Sequence, residues 1–282
     1  MVGKALKTGS REHLFQGRFE TGLILRIKAV VLLAFRLAEW LTAPISNGLP
    51  LDHCIHRDNS LMSKPLDGPR IAAKSGTVRQ IVVFLHGYGA DGKDLIEIGR
   101  QWAMMLPDAS FVAPNAPEPC AGSPMGRQWF ALTNRAPDER WDGVTKARPA
   151  LDAFLDGELA RHGIEASRMA LVGFSQGTMM ALHTGLRRAR PLAAIVGFSG
   201  MLVGPEHLSE ANALRTPVLL THGDQDQVIP VDAMFMAAED LANAGGACQW
   251  HLGAGLAHGI DAPSLRHAGL FLAKNFGVRV GR

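Results

Sequence analysis

Short apolar runs that alternate with amphipathic stretches limit the folds open to this sequence more than any other feature. Each run has four to eight residues, is apolar at most positions, and is bounded by Gly or Pro. Strands that are buried on both faces have this pattern, as in a parallel sheet covered by helices on either side. Six runs are predicted as strands: 79–86, 110–113, 168–174, 193–198, 217–222 and 247–252.

The stretches between these runs are predicted as helices, at 94–106, 149–162, 176–189, 231–244 and 263–276. A chain that alternates strands and helices in this way forms a right-handed, doubly wound sheet. The predicted fold class is therefore α/β, with a mostly parallel sheet and helices on both faces, over residues 62–282.

Charge argues against a nucleic-acid-binding protein, and cysteine content argues against a disulfide-rich or metal-binding one. The net charge of +3 comes entirely from residues 1–61, which contain eight basic and five acidic side chains. The remaining 221 residues contain 21 of each, so nucleic acid is not a predicted partner. Cys54, Cys120 and Cys248 fit neither a disulfide framework nor a metal site, because they are an odd number at wide spacing. This predicts reduced thiols and a cytoplasmic location.

Residues 1–61 are predicted to be an extension that precedes the α/β domain at 62–282. Four charged residues interrupt its one apolar stretch, 22–41, which predicts an amphipathic helix rather than a transmembrane segment. That helix could pack on the domain, form a mobile arm or contact a membrane surface. A further hypothesis is that translation starts at Met62 and that the extension is an artefact of start assignment, since no methionine lies between Met1 and Met62.

The sequence G-F-S-Q-G at 173–177 lies where a predicted strand ends and a predicted helix begins. At such a junction the serine occupies a strained turn that lifts its hydroxyl off the sheet edge. Glycines are needed two residues before and after, because a Cβ there would collide with the neighbouring strand or helix. The helix N-terminus adds a positive dipole end near a developing oxyanion. Ser175 is therefore predicted as a nucleophile, and the alternative is a helix-capping serine.

A serine hydroxyl needs a base to take its proton, and the base needs a group that orients it. With this type of turn, the acid and then the histidine follow the serine, each after a later strand. Asp224 and Asp226 both follow strand 217–222, and the residues alone leave both open as the acid. His258 follows the last strand in a Gly-rich loop and is predicted as the base. Structural roles are predicted for three other histidines: packing for His251, and turn stabilisation for His86 and His222.

Two backbone amides are needed to stabilise the oxyanion that forms when a serine attacks a carbonyl. One is predicted to be the amide of Gln176, directly after Ser175. The other is predicted to be the amide of Tyr88, because the glycines of loop 86–92 let the backbone approach a ligand closely. The alternative for this loop is a turn with no role in binding.

Six segments together resemble the phospholipase/carboxylesterase family of α/β-hydrolases, which includes the acyl-protein thioesterases and small bacterial carboxylesterases. The segments are L-H-G-Y-G-A-D-G (85–92), A-P-N-A-P (113–117), R-Q-W-F (127–130), G-F-S-Q-G (173–177), H-G-D-Q-D-Q-V-I-P (222–230) and G-L-A-H-G-I (255–260). They follow one another in the family's order over about residues 65–277.

The resemblance implies an α/β-hydrolase fold in which Ser175, Asp226 and His258 form a catalytic triad. It favours Asp226 over Asp224 as the acid, and it implies that Tyr88 and Gln176 supply the oxyanion amides. It also implies that neither a cofactor nor a metal is needed, and that the substrates are carboxyl esters or thioesters.

Substrate-binding residues are predicted from the connections between elements. Only 18 residues separate Phe198 from Pro217, where many α/β-hydrolases insert a helical cap, so no large cap domain is predicted. The long stretch 115–147 is predicted to be irregular, and loops of that length are usually functional. Its residues Met125, Trp129 and Phe130 are predicted to bind an acyl chain. The alternative is that its aromatic residues only pin the loop to the core.

The predicted function is a serine carboxylesterase that hydrolyses esters of small to medium acyl chains through an acyl-enzyme intermediate. Lysophospholipids and S-acylated proteins stay open as alternative substrates, because they present an acyl carbonyl to the same groups. Two non-enzymatic hypotheses are a ligand-binding protein on a hydrolase fold and a membrane-surface protein led by 22–41. The predicted triad and the predicted oxyanion loop, residues 86–92, count against the ligand-binding protein.

Overall fold

The computed structural model describes residues 65–279, and this part of the chain contains nine strands. Seven of them form a central sheet, and the other two form a separate antiparallel hairpin. In chain order the strands are β1 (Arg70–Ile71), β2 (Gln80–Leu85), β3 (Ala109–Val112), β4 (Glu118–Cys120), β5 (Ser123–Gln128), β6 (Met169–Phe174), β7 (Ala194–Phe198), β8 (Val218–Gly223) and β9 (Cys248–Gly253).

The central sheet has the strand order β1-β3-β2-β6-β7-β8-β9, and β4 and β5 form the hairpin. All neighbours in the sheet are parallel except β1, which pairs antiparallel with β3. Strands β3 and β1 lie on one side of β2, and the later strands β6 to β9 follow one another on its other side. The mostly parallel, doubly wound α/β sheet that the sequence predicts is confirmed.

Helices cover both faces of this sheet. The helices are α1 (Gly92–Trp102), α2 (Pro137–His162), α3 (Gln176–Leu186), α4 (Asp232–Asn243) and α5 (Ala262–Phe276). Apolar side chains of α2, α3 and α4 form one core with one face of the sheet. Those of α1 and α5 form a second core on the opposite face. The central strands β2, β6, β7 and β8 are therefore buried almost throughout, as their apolar sequences require.

The predicted burial of every strand on both faces is wrong for β9. This strand lies at the edge of the sheet and leaves Trp250 52% and Leu252 38% exposed. An edge strand has one neighbour and incomplete helix cover, so apolar residues in it need not be buried. Trp250 instead packs edge-to-face against Phe235 of α4, with ring centroids 5.2 Å apart.

The prediction of an irregular stretch at 115–147 is wrong in two respects. The stretch contains the hairpin β4–β5, and α2 begins at Pro137 rather than at Pro149. Proline is favoured in the first turn of a helix, and Pro137 occupies that position. Pro149 lies in the helix interior, where it removes one backbone hydrogen bond. The buried residues Val144 and Leu151 on either side pack into the core and hold the helix together.

The predictions for residues 1–61, including the amphipathic helix at 22–41 and a start at Met62, lie outside the described residues. Within the part of the chain that is described, no helix is long and apolar enough to cross a membrane. Between β7 and β8 lies a short 3-10 helix, Pro205–Glu210, and no large cap domain is inserted there.

Candidate active site

Ser175 occupies a sharp turn between the end of β6 and the start of α3. Its backbone has φ 52° and ψ −115°, which residues with a side chain rarely adopt and which costs about 1–3 kcal/mol. The amide of Ser175 donates to the carbonyl of Phe198 on β7 at 2.9 Å. The neighbouring strand therefore holds the serine in the strained turn that the motif predicts.

Two glycines allow this turn to form against the sheet. A Cβ on Gly173 would lie 2.4 Å from the carbonyl carbon of Gly177. A Cβ on Gly177 would lie 1.8 Å from the carbonyl oxygen of Leu85 on β2. The opposing atoms belong to the backbone and cannot rotate away, so any larger residue would push β6, α3 and β2 apart. The predicted reason for glycine at both positions is confirmed.

His258 and Asp226 meet in the loops that follow β9 and β8. His258 Nδ1 donates to Asp226 Oδ2 at 2.7 Å, which fixes the tautomer and leaves Nε2 free to accept a proton. The His258 ring also packs on Phe174, the residue directly before Ser175, with ring centroids 5.0 Å apart. This contact brings the imidazole beside the serine turn, and a hydrogen bond from Ser175 Oγ to Nε2 stays a prediction.

Asp226 has a buried side chain whose oxygens are well supplied with donors. Oδ1 accepts from the amide of Val228 at 2.8 Å and from the amide of Ile229 at 3.0 Å. Burial acts to raise the pKa of Asp226, but the amide of Ile229, the His258 imidazole and the amide of Val228 outweigh it, and the net pKa is lowered. The carboxylate is therefore ionised near neutral pH and can stabilise a protonated His258.

The structure separates the two aspartates that the residues alone leave open. Asp224 is exposed, and its Oδ1 accepts from the amide of Gly255 at 2.7 Å, so it joins the two loops without touching His258. Asp226 is the aspartate that contacts His258. The loop connection through Asp224 orients the Gly-rich segment on which His258 lies.

The other histidines of the predicted motifs have contacts of different kinds. His86 Nδ1 donates to the carbonyl of Gly87 at 2.8 Å, and Nε2 accepts from the amide of Ala116 at 3.0 Å, which is the predicted turn stabilisation. His251 is half-buried and stacks on His267 of α5. His222 was predicted only to stabilise a turn, but its Nε2 also lies 3.1 Å from Asp226 Oδ2. In the segment H-G-D-Q-D (222–226), this histidine and the second aspartate are four residues apart, which is the sequence signal for the contact.

The predicted oxyanion amides lie on two rigid segments. Within the described chain, the amides of Tyr88 and Gln176 donate to no other residue, so both are free to bind a ligand oxygen. The loop that carries Tyr88 is paired with β5: the amide of Gly89 donates to the carbonyl of Arg127 at 2.9 Å, and the amide of Arg127 donates to the carbonyl of Ala90 at 2.7 Å. The hairpin therefore fixes the conformation of the oxyanion loop.

A family model described as Phospholipase/Carboxylesterase matches residues 66–276. The chain belongs to this family. Esterase YpfH of Escherichia coli K12 is 31% identical over 190 residues, which are 67% of this chain and 80% of YpfH. Acyl-protein thioesterase 1 of Schizosaccharomyces pombe is 32% identical over 171 residues, which are 57% of this chain and 75% of that protein.

Among solved structures, the crystal structure of esterase PE8 is similar to this one with a TM-score of 0.73 and 45% sequence identity. The match covers 75% of this chain and 99% of PE8. The crystal structure of a phospholipase/carboxylesterase from Dyadobacter fermentans has a TM-score of 0.61 at 22% identity, which is evidence for the fold alone. The α/β-hydrolase fold implied by the six sequence segments is confirmed.

In this member of the phospholipase/carboxylesterase family, Trp129 and Phe130 are only 1% and 3% exposed. Trp129 Nε1 donates to the carbonyl of His86 at 3.0 Å, and the Trp129 amide donates to Gln176 Oε1 at 3.0 Å. Gln176 Nε2 donates in turn to the carbonyl of Phe130 at 2.7 Å. The structure therefore places both aromatic residues in the core, where they support Gln176 and His86 instead of presenting a surface to a substrate. Their predicted role in substrate binding has no support in this geometry.

Met125, the third predicted substrate residue, lies on the hairpin and is 89% exposed. It borders an open cavity of about 390 Å³ between the oxyanion loop, the start of α1 and the hairpin. The cavity is lined by Gly89, Ala90, Asp91, Lys93, Asp94, Ser123, Met125 and Gly126. Tyr88, Ser175 and His258 do not line this cavity, so the role of Met125 in substrate binding stays a prediction.

Groups of three or more His, Cys, Asp or Glu side chains that could hold a metal ion are not found among residues 65–279. Cys120 and Cys248 are both free thiols. Independence from a metal or cofactor stays a prediction.

Proposed function

We propose that the protein is a serine carboxylesterase that hydrolyses esters of small to medium acyl chains, with Ser175 as nucleophile, His258 as base and Asp226 as acid. The observation that carries the proposal is the 2.7 Å hydrogen bond from His258 Nδ1 to Asp226, next to a serine in a strained turn. This arrangement gives a neutral imidazole the tautomer that a base needs.

In the first half of the reaction, Ser175 Oγ attacks the ester carbonyl carbon while His258 Nε2 takes the hydroxyl proton. The carbonyl oxygen becomes an oxyanion and accepts hydrogen bonds from the amides of Tyr88 and Gln176. The tetrahedral intermediate then expels the alcohol, which receives its proton from His258. The acyl group remains bonded to Ser175.

In the second half, a water molecule attacks the acyl-enzyme carbonyl and gives its proton to His258. The second tetrahedral intermediate releases the carboxylic acid, and His258 returns the proton to Ser175 Oγ. Asp226 stays ionised through both halves, because its lowered pKa disfavours protonation. Its negative charge stabilises the imidazolium that forms twice in each cycle.

The proposed substrate is a small-molecule ester with an acyl chain of small to medium length. The short connection between β7 and β8, which holds one 3-10 helix and no large cap domain, supports substrates that are small or flexible. Thioester hydrolysis is a second candidate, because relatives at 30–32% identity are named acyl-protein thioesterase 1. Lysophospholipid hydrolysis would use the same steps. We also propose a cytoplasmic location, which the free thiols of Cys120 and Cys248 support.

The test is to measure kcat/KM of the full chain on p-nitrophenyl esters from C2 to C16, on the matched acyl thioesters, and on lysophosphatidylcholine. We expect a maximum for esters of short to medium chains. Higher kcat/KM on thioesters at every chain length would favour the second candidate. A fluorophosphonate probe should label the protein at Ser175, and no labelling together with no turnover would support a ligand-binding protein instead.

A further inference from the structure

We propose that His222 is a positioning residue of the active site, whose Nε2–H lies beside the Asp226 carboxylate and fixes the Ile229 backbone that donates to it, and so keeps Asp226 oriented towards His258. This inference rests on the proposed function, because it assigns Asp226 the role of the acid. The residues around the end of β8 predict only a turn-stabilising role for this histidine.

The ring of His222 donates to one group and lies in close contact with a second. Its side chain is 1% exposed, and Nε2 lies 2.8 Å from the carbonyl oxygen of Ile229 and 3.1 Å from Asp226 Oδ2. Both neighbours accept hydrogen bonds, so Nε2 must carry the hydrogen. A residue that only stabilised the turn would need the Ile229 contact alone. The contact with Oδ2 is therefore the observation that ties His222 to catalysis.

Three hydrogen bonds and the contact with His222 surround the Asp226 carboxylate. Oδ1 accepts from the amides of Val228 and Ile229, and Oδ2 accepts from His258. His222 Nε2 lies 3.1 Å from Oδ2 and donates its hydrogen to the carbonyl of Ile229, the residue whose amide donates to Oδ1. Of the ionisable side chains in the described chain, only the two histidines form ion-pair contacts with Asp226. Together these contacts restrain rotation of the carboxylate away from His258.

Removal of the His222 donor has a consequence that can be measured. The Ile229 backbone and the carboxylate that it supports lose their restraint, so fewer enzyme molecules have His258 correctly oriented and kcat falls.

Three substitutions separate the donor from the shape of the side chain. In His222→Gln the amide nitrogen can reach the position of Nε2 and retain the donor. In His222→Asn the same amide is one methylene shorter and does not reach Asp226. In His222→Phe the ring is kept and the donor is lost. We expect kcat for the Asn and Phe variants to fall about 10- to 100-fold, because the carboxylate loses both the contact with Nε2 and the support of the Ile229 backbone.

The Gln variant should retain kcat within about fivefold, since it keeps the donor. KM should change by less than about twofold in all three, because His222 is buried away from any substrate. A loss that is equal in all three variants would overturn the proposal.

A double-mutant cycle with Asp226→Asn decides whether His222 acts through Asp226. In the Asp226→Asn background, the Asn or Phe substitution at His222 should change kcat by less than about threefold, because the group through which it acts is already removed. An additive loss would assign His222 a purely structural role. Melting temperatures show which variants are folded, and if the Gln variant folds while both others do not, the proposal is also overturned.

The same set of proteins distinguishes failure of this inference from failure of the proposed function. If the parent protein neither turns over esters nor reacts with fluorophosphonate, the proposed function is wrong. If the parent is active and Asp226→Asn is severely impaired, but the substitutions at His222 leave kcat unchanged, only the inference about His222 is wrong.

Discussion

His183 lies on α3 with 2% of its surface exposed, and neither ring nitrogen has a hydrogen-bond partner among the described residues. The indole of Trp141 meets its ring edge-on at a centroid distance of 5.2 Å. Burial, and to a lesser extent the positive charges of Arg187 and Arg148, lower the pKa of His183 to about 3. The folded protein therefore keeps this imidazole neutral at a pH where the unfolded chain protonates it.

This difference makes stability depend on pH in a known direction. Above pH 6.5 the side chain is neutral in both states and has no effect. As pH falls from 6.5 towards 3, the unfolded chain binds a proton that the folded one does not, and stability falls by about 1.4 kcal/mol for each pH unit. Between pH 7.5 and pH 4.5, His183 alone should therefore remove about 3 kcal/mol from the free energy of unfolding.

The substitution His183→Leu removes the titrating group and both unpaired nitrogens while keeping an apolar side chain against Trp141. We expect the free energy of unfolding of the parent to fall by about 3 kcal/mol more than that of His183→Leu between pH 7.5 and pH 4.5. The measurement is urea-induced unfolding at both pH values, followed by tryptophan fluorescence and far-UV circular dichroism. His267→Leu, at an exposed position on α5, is the control and should behave like the parent. Equal acid losses in the parent and His183→Leu would refute the reasoning.

Three further predictions concern the active site and its turn. Ser175→Ala should lower ester turnover by several orders of magnitude and abolish fluorophosphonate labelling without a change in melting temperature, because triad members act as a unit. Asp226→Asn should lower kcat by several orders of magnitude, whereas Asp224→Asn, which loses only a loop contact, should cost about tenfold or less. Gly177→Ala should prevent folding, since its Cβ would lie 1.8 Å from a main-chain oxygen. Gly157→Ala, inside α2 and with open space around its Cβ, should raise stability by about 0.5–1 kcal/mol.

Each of these predictions has a contrary result. Appreciable turnover by purified Ser175→Ala would remove the nucleophile from the proposed mechanism. Comparable losses for the two aspartate variants, with both folded, would leave the acid unassigned. A soluble Gly177→Ala protein with the melting temperature of Gly157→Ala would show that the contact between α3 and β2 can relax.

The parts of the fold that were predicted correctly are those in which one local signal suffices. The strands β2, β6, β7 and β8 are buried on both faces, so their side chains alone identify them. The strained turn at Ser175 was located because it needs glycine at fixed positions, and the contact of His258 with Asp226 was expected because each follows a later strand of the sheet.

The parts that were missed depend on contacts between distant segments. The hairpin β4–β5 is held by backbone hydrogen bonds to the oxyanion loop, and these have no side-chain periodicity. The start of α2 was misplaced because Pro137 and Pro149 carry the same local signal, and only packing on the sheet decides between them. The burial of Trp129 was left open by the sequence, because an aromatic residue in a Gly- and Pro-rich stretch is equally compatible with a pocket and with a core.

The position of Trp129 explains why three of the sequence motifs occur together. The indole nitrogen of Trp129 donates a hydrogen bond to the carbonyl of His86 at the start of the oxyanion loop. The backbone amide of Trp129 donates to the side-chain oxygen of Gln176 at the start of α3. Gln176 completes the contact by donating to the carbonyl of Phe130. One buried segment therefore connects the two backbone positions, Tyr88 and Gln176, whose amides would stabilise the oxyanion. Because such donors lower a barrier only when they are already in place, this link would preorganise the two amides for the proposed reaction.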